Sequence, residues 1–324
     1  MIGVLGNGLE VQRLVAAAGN APSVHNTQPW RFSVEHGDLM WLCPDLERRL
    51  TAADPHGRSL HVSCGAALLN LRLALRAAGY DPVSWLLPPG ERPPPLAVVR
   101  PVPSVPPSPE ERRLYDAITV RHTNRLPFSG CLIPYPIMNE LVRAARCEGA
   151  NLIVLNAVED DPLLRWVGAA ERRLYADADY RAELTRWTTS TGGSRLDGIP
   201  ATALGPSGGK GTLVRDFGRV GAALVCEDAV FRWESRPQLA LLGTRADGPR
   251  DWLRAGQALQ RVLLTATVYG VSASFLNQPL DLRDMRGQTR TGRSGHLQMI
   301  IRFGYGTDMP ATPRRPVSDI LETI

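Results

Sequence analysis

The sequence predicts a mixed helix-and-strand protein built from two related units in one chain. Three observations carry this expectation. Helical and strand patterns alternate along most of the 324 residues, a length that suits two domains or one large core made of two similar units. The pattern Gly65-x-Ala67-Leu68…Leu73…Gly79 recurs without gaps as Gly256-x-Ala258-Leu259…Leu264…Gly270, at an offset of 191. Leu14-Val15-Ala16-Ala17-Ala18 is echoed in the same order by Leu141-Val142-Arg143-Ala144-Ala145, at an offset of 127. The difference between the offsets puts extra residues in the second unit, in the 160–220 region.

Each element has a local reason. Leu9 to Ala18 reads as a short helix ended by Gly19-Asn20. Trp30 to Val34 alternates as a strand, His36-Gly37-Asp38 turns it, and Leu39 to Leu42 returns. His61 to Ala78 is a long helix with a broad apolar face, and Gly79 is its C-terminal stop. Residues 88–109 hold ten prolines. They are expected to form a stiff linker between a first unit, 1–87, and a second, 110–324. The second unit should open with helices at 110–119 and 134–147, then a strand at 151–156 and a helix at 161–188 with a break. Residues 189–212 hold seven glycines and two prolines and are expected to be a loop, with the option of a lid over the site. Ala222 to Cys226 reads as a strand, Arg250 to Tyr269 as a long apolar helix, and Leu297 to Phe303 as a late strand.

Bulk properties narrow the function classes. With 44% hydrophobic and 21% charged residues, the chain reads as a soluble globular protein. It has no apolar run near the roughly 18 residues that a membrane helix needs. The N-terminal residues lack a basic region and a full apolar core, so no signal peptide is expected and the location is expected to be cytoplasmic. Cys43, Cys64, Cys131, Cys147 and Cys226 are scattered and form no C-x-x-C pair, which argues for free thiols and against a metal site. The net charge of +5 is carried almost wholly by arginine, Lys210 being the sole lysine. That bias fits a high-GC, actinobacterial genome. No basic stripe interleaved with aromatics is present, so no nucleic-acid partner is expected. Gly3-x-x-Gly6-x-Gly8 is a weak dinucleotide pattern without a preceding strand. In Ser207-Gly208-Gly209-Lys210-Gly211-Thr212, Gly211 breaks the spacing of a P-loop.

Two segments carry chemistry. Ala21-Pro22-Ser23-Val24-His25-Asn26-Thr27-Gln28-Pro29-Trp30 offers amides and hydroxyls in a short loop. Arg121-His122-Thr123-Asn124-Arg125-Leu126-Pro127-Phe128 gathers fixed cations and a hydroxyl in one turn, the equipment a phosphate needs. The first resembles the "A-P-S-x-x-N-x-Q-P-W" segment of the nitroreductase superfamily, and the second its "R-[RH]-[ST]-x-R-x-F" segment. Gly304-Tyr305-Gly306…Pro310…Pro313-Arg314-Arg315-Pro316 is similar to the closing segment of the same superfamily. The nearest branch is the Acg-like group of fused, two-repeat nitroreductase-like flavoproteins.

The resemblance implies an α+β fold with an antiparallel-rich sheet, in which two tandem half-units mimic the usual intertwined dimer. It implies bound flavin mononucleotide (FMN). Arg121, His122, Thr123 and Arg125, with Arg314 and Arg315, would hold the phosphate. Pro22, Ser23, Asn26 and Gln28 would lie along the ring, and Ser274, Leu276, Asn277 and Gln278 would approach its N5 edge. Trp30 is read as packing the strand, and His25 as either a proton donor or a surface-loop histidine. Since the flavin itself accepts hydride, no catalytic side chain is expected. Ordinary members carry the phosphate segment before the A-P-S segment. Here the order is reversed and each occurs once, so only one complete site, shared between the halves, can be assembled. The implied activity is reduction of a nitro or quinone-like acceptor with NADH or NADPH, or oxidation of a biosynthetic intermediate. The alternative is a protein that stores FMN with little turnover. The fused form is expected as a monomer or a higher-order homodimer.

Overall fold

The computed structural model describes residues 8–35, 39–89, 94–189, 195–205, 234, 237–287 and 295–322. The first unit runs α1 (Gly8–Gly19), β1 (Trp30–Glu35), β2 (Leu39–Pro44), α2 (Arg58–Ala77), β3 (Tyr80–Leu86) and β4 (Ala97–Pro103). Helix α3 (Pro109–Asp116) follows, and then α4 (Tyr135–Cys147), β5 (Asn151–Val154), α5 (Ala157–Ala176), α6 (Ala178–Arg186), and the two-residue strands β6 (Thr188–Thr189) and β7 (Ile199–Pro200). The second unit continues with β8 (Gln238–Thr244), α7 (Pro249–Val268), β9 (Ser272–Phe275), α8 (Gln278–Asp281), α9 (Arg283–Gly287) and β10 (His296–Gly304). The chain ends with α10 (Val317–Ile320) and β11 (Leu321–Glu322).

The two units repeat one topology. The first sheet has the order β11-β1-β2-β4-β3 and the second β5-β8-β10-β9. Setting β11 aside, the four strands of each sheet pair antiparallel in the same sequence-to-space order. Helix α1 packs on α2 as α4 packs on α7, and α2 packs along α7 between the sheets. The two central helices meet at the repeated glycines. A Cβ on Gly65 would lie 2.2 Å from the Leu253 carbonyl oxygen, and one on Gly256 would lie 2.0 Å from that of Val62. Val62 and Leu253 are themselves separated by the same 191 residues. The contact is therefore reciprocal, as at a two-fold axis, and its closeness demands glycine on both helices. Beside it, Gln260 Nε2 donates to Asn70 Oδ1 at 2.8 Å, deep in the interface. Gly79 and Gly270 follow α2 and α7 with φ of 91° and 68°, the left-handed stop both helices share.

The proline-rich stretch needs correction. It is not a bare linker, because β4 occupies 97–103 and stands between β2 and β3. Partner β2 pairs only with Ala97 to Val99. Pro101 and Pro103 thus sit where one side of the strand is open, and their missing N–H groups cost no ladder bond there. The same stretch ends in a well-formed helix start. Ser108 and Glu111 make a capping box, with Pro109 in the first turn. Arg76 of α2 then binds Glu111 at 2.8 Å and holds its carboxyl down to about 2.

Other expectations meet the structure closely. Helix α2 begins at Arg58, one turn before His61, and the break in 161–188 falls at Asp177, which caps α6. Strands β3 and β8 have no counterpart in the expectation. β3 is a half-buried edge strand containing Pro82, and β8 is an unbroken buried run without alternation. Ala222 to Cys226, His36-Gly37-Asp38, Lys210 and the two glycine patterns that begin at Gly3 and Ser207 lie outside the described residues, apart from Gly8 itself. After β10 the chain crosses back to the first unit. There β11 adds to β1 in parallel, with Phe32 opposite Leu321, and Ile320 packs on Gly19.

Candidate functional site at the junction of the two units

An open cavity enclosing about 1100 Å³ of space, mouth included, lies where the units meet. Its apolar wall is Val62 of α2, Leu259 of α7, Phe275 of β9 and Met299 of β10, with Ile199 of β7. Ser59 and Ser63 come from the first turns of α2, Asn277 and Asp281 from the β9–α8 corner. The loop Pro22–Asn26 closes one side. Arg121, Thr123, Arg125, Thr312 and Arg314 supply the charged and hydroxyl end.

The loop of residues 22–28 is held in a costly conformation. His25, Asn26 and Gln28 have φ of 47°, 54° and 51°, the left-handed region that side-chain-bearing residues avoid. Local hydrogen bonds offset that cost. Ser23 Oγ accepts from Gln28 N–H at 2.9 Å, and Ser63 Oγ accepts from Val24 N–H at 3.2 Å while donating to the Ser59 carbonyl. Asn26 Nδ2 donates to the carbonyls of Gly198 and Pro313, and its Oδ1 accepts from Arg314 at 3.2 Å. Gln28 Nε2 donates to Leu196 O, and its Oε1 accepts from Arg315 N–H, both at 2.8 Å. The amides expected to face a ring are therefore engaged by protein. Asn26 still borders the cavity, and Gln28 does not.

The cation segment is anchored from behind. Thr123 bridges to Ala273 in parallel, and Asn124 N–H donates to the Ala273 carbonyl at 2.9 Å. Arg125 donates to Ala203 O at 2.9 Å. Arg302 of β10 is wholly buried. It forms an ion pair with Glu234, donates to Leu126 O at 3.0 Å and to Ser274 Oγ at 3.2 Å, and lies 3.9 Å from the centre of the Phe128 ring. Ser274 thus supports Arg302 from a fully buried position and does not border the cavity.

Arg121 and Arg314 set the electrostatics. Arg121 is 4% exposed, and its Nε and that of Arg314 are buried without hydrogen-bond partners. Burial pushes the Arg121 guanidinium down to about 9, and the nearby charge of Arg314 pushes in the same direction. Burial alone brings Arg314 down to about 10. His122 is lowered by its own burial and then by both arginines, so it is neutral near pH 7. Two buried guanidiniums with no opposing carboxylate among the described residues form a site for an anion.

Not every expected residue arrives. Pro22, Ser23, Asn26, Arg121, Thr123, Arg125, Asn277 and Arg314 border one cavity. His122 stands beside it, its Nδ1 buried without a partner. Leu276 and Gln278 are buried behind the wall, in the corner that Asn277 turns by accepting from Ile300 N–H. Arg315 faces away, donating to Gln28 O and pairing with Asp45 at 3.3 Å. The sequence reading missed Ser59, Val62 and Ser63, because the expected start of α2 lay after Ser59 and gave no reason to look one turn either side. It also missed Ile199 and Asp281, which sit on very short elements that no periodicity marks. His25 is 6% exposed and borders the cavity, which removes the surface-loop alternative.

No protein-family model matches the chain. The "Putative NAD(P)H nitroreductase Rv3131" of Mycobacterium tuberculosis is 32% identical over 322 residues, covering 96% of this chain and 91% of that protein. The chain belongs to the nitroreductase family. The "Putative NAD(P)H nitroreductase acg" of the same organism is 30% identical over 330 residues, covering 96% of this chain and 94% of its own length. The Acg-like resemblance and the fused α+β nitroreductase fold are thus secured. Among solved structures, an FMN-bound nitroreductase from Desulfitobacterium hafniense aligns with 65% of this chain and 98% of its own, at 14% identity and a TM-score of 0.39. That superposition is too loose to carry an argument about this member of the family. No described helix is long and apolar enough to cross a membrane.

Proposed function

We propose that the cavity binds one FMN and that this nitroreductase uses it to pass electrons from NADH or NADPH to a nitro or quinone-like acceptor. The observation that carries the reading is the pair of buried, like-charged arginines, Arg121 and Arg314, facing a cavity with an apolar far wall. A flavin phosphate supplies about two negative charges and several acceptor oxygens, the complement of that end. Thr123 and Arg125 would share the phosphate, and Pro22, Ser23 and Asn277 would border the ring against Val62, Leu259 and Met299. When bound, the flavin supplies the hydride chemistry, and the protein supplies orientation and charge. The relatives from Mycobacterium tuberculosis are named putative NAD(P)H nitroreductases, which supports that reductant class.

A yellow protein after purification or after incubation with FMN is the expected result. A chain that stays colourless would sink the reading. Arg121→Ala removes a charge-assisted contact of roughly 1.5–3 kcal/mol, so FMN retention should weaken about ten- to a hundredfold. Stopped-flow mixing with NADH and NADPH separates turnover from storage. Bleaching of the flavin supports an enzyme. A flavin that dithionite reduces and neither nucleotide does would be a stored one.

A further inference from the structure

We propose that His25 is the proton donor to the acceptor in this cavity, an inference that rests on FMN occupying it. A quinone that takes a hydride at one end still needs a proton on an oxygen. A nitro group reduced to nitroso takes one hydride and one proton and loses water. Of the described side chains that border the cavity, His25 and Asp281 are the acid–base groups, since the rest of the charge is arginine. Asp281 lies within electrostatic reach of the buried Arg58 guanidinium and serves there as a counter-charge. Imidazole ionises near neutrality, the condition for a general acid.

The backbone adds a second reason. His25 is held at φ 47°, and its loop is fixed from four directions. Ser63 of α2 binds Val24, Gly198 and Pro313 bind Asn26, and Leu196 binds Gln28. A non-glycine residue in that conformation is strained, and such strain collects where a side chain must be aimed. An ordinary turn with glycine at position 25 would close the loop with less strain and leave no ionisable group here. In the step itself, the acceptor gains a hydride's two electrons from the reduced flavin. Its oxygen takes the proton of the His25 imidazolium, which is left neutral and is reprotonated by solvent. The other described charges facing this group are Asp281, Arg121, Arg125 and Arg314 in the cavity, and Arg48 behind the loop, which donates to Thr27 O and pairs with Asp197. Arg121 and Arg314 disfavour an imidazolium, as they do at His122, until the flavin phosphate pairs them, so the donor role belongs to the loaded site.

The test uses the flavin-loaded full chain and the variant His25→Asn, because asparagine tolerates the left-handed backbone. Reduced protein is mixed in a stopped flow with menadione, which needs protons, and separately with ferricyanide, which takes one electron and no proton. The ratio of the menadione rate to the ferricyanide rate should fall about tenfold to a hundredfold in the variant. An unchanged ratio would overturn the proposal. A readout apart from turnover is the His25 ring followed by NMR in the flavin-loaded wild-type chain, which does not depend on a variant keeping its flavin. A ring that takes up a proton between about pH 8 and about pH 5 supports the proposal, and one that stays neutral throughout refutes it. Failure of the function reading is distinguishable, because then the wild-type chain carries no flavin spectrum at all.

Discussion

Arg121 shows how much an unpaired charge can tell. Its pKa falls from the ordinary arginine range to about 9 because water is removed from around it and because Arg314 stands close. In the flavin-free chain the folded state therefore binds fewer protons than the unfolded one from about pH 9 up to the ordinary arginine range, and stability rises with pH across that window. An anion that needs the cation behaves the opposite way. FMN affinity should be flat below about pH 9 and should fall above it, by up to about tenfold per pH unit, in a fluorescence titration between about pH 7 and about pH 10. Flat affinity across that range would mean Arg121 is not at the phosphate. Arg315→Ala should act differently from Arg121→Ala. It unties Gln28 and Asp45, so it should lower thermal stability by about as much as it lowers flavin retention. Arg121 and Arg314 were legible from their segments. Arg315 was legible in type, from the same segment, and its orientation was not, since two adjacent residues on an extended segment point opposite ways.

At the scale of elements, α2 and α7 are the most exacting contact. Gly65→Ala or Gly256→Ala forces a Cβ to within about 2 Å of a backbone oxygen, so the helices must separate. Each should cost about 1–3 kcal/mol or more in urea unfolding. Gly130→Ala is the control, because open space surrounds it and its backbone needs no glycine. Equal stability of all three variants would refute the close crossing. The repeat that exposed this pair was readable because helical glycines at matched spacing leave a one-dimensional trace. β4 left no such trace. Its prolines resemble a linker, and they are explained by β3 pairing along the whole strand while β2 pairs only with Ala97 to Val99. The segment 195–205 was read as an undifferentiated loop. Its carbonyls serve Asn26, Gln28 and Arg125, and Asp197 pairs with Arg48 at 2.7 Å. Such a strap is specified by tertiary partners, which no local pattern can disclose.

For the whole molecule, the fusion makes one chain the unit of assembly. Residues 22–26 of the first unit and residues 121–125 and 277 of the second border the same cavity. We expect one FMN per chain, counted from the flavin absorbance of a protein whose concentration is set by amino-acid analysis. Two per chain would mean that a second cavity has been retained. The same ratio should hold whether the protein runs as a monomer or as a homodimer, because the shared site no longer needs a second chain. The repeat could be read from the matched segments, and the single shared site is an expectation drawn from motif order. The geometric relation of the halves could not be read, because two-fold symmetry between sheets is a property of space and not of spacing.

The returning segment also works as a latch. Arg314 hydrogen-bonds Asn26, Ile320 packs on Gly19, and Leu321 pairs with Phe32. The loop that carries Asn26 is thus closed by a residue 288 positions away. The first unit can pair β1 with β2 without that segment, yet the cavity then lacks one of its two buried guanidiniums. A chain truncated before Arg314 should accordingly stay colourless when FMN is added.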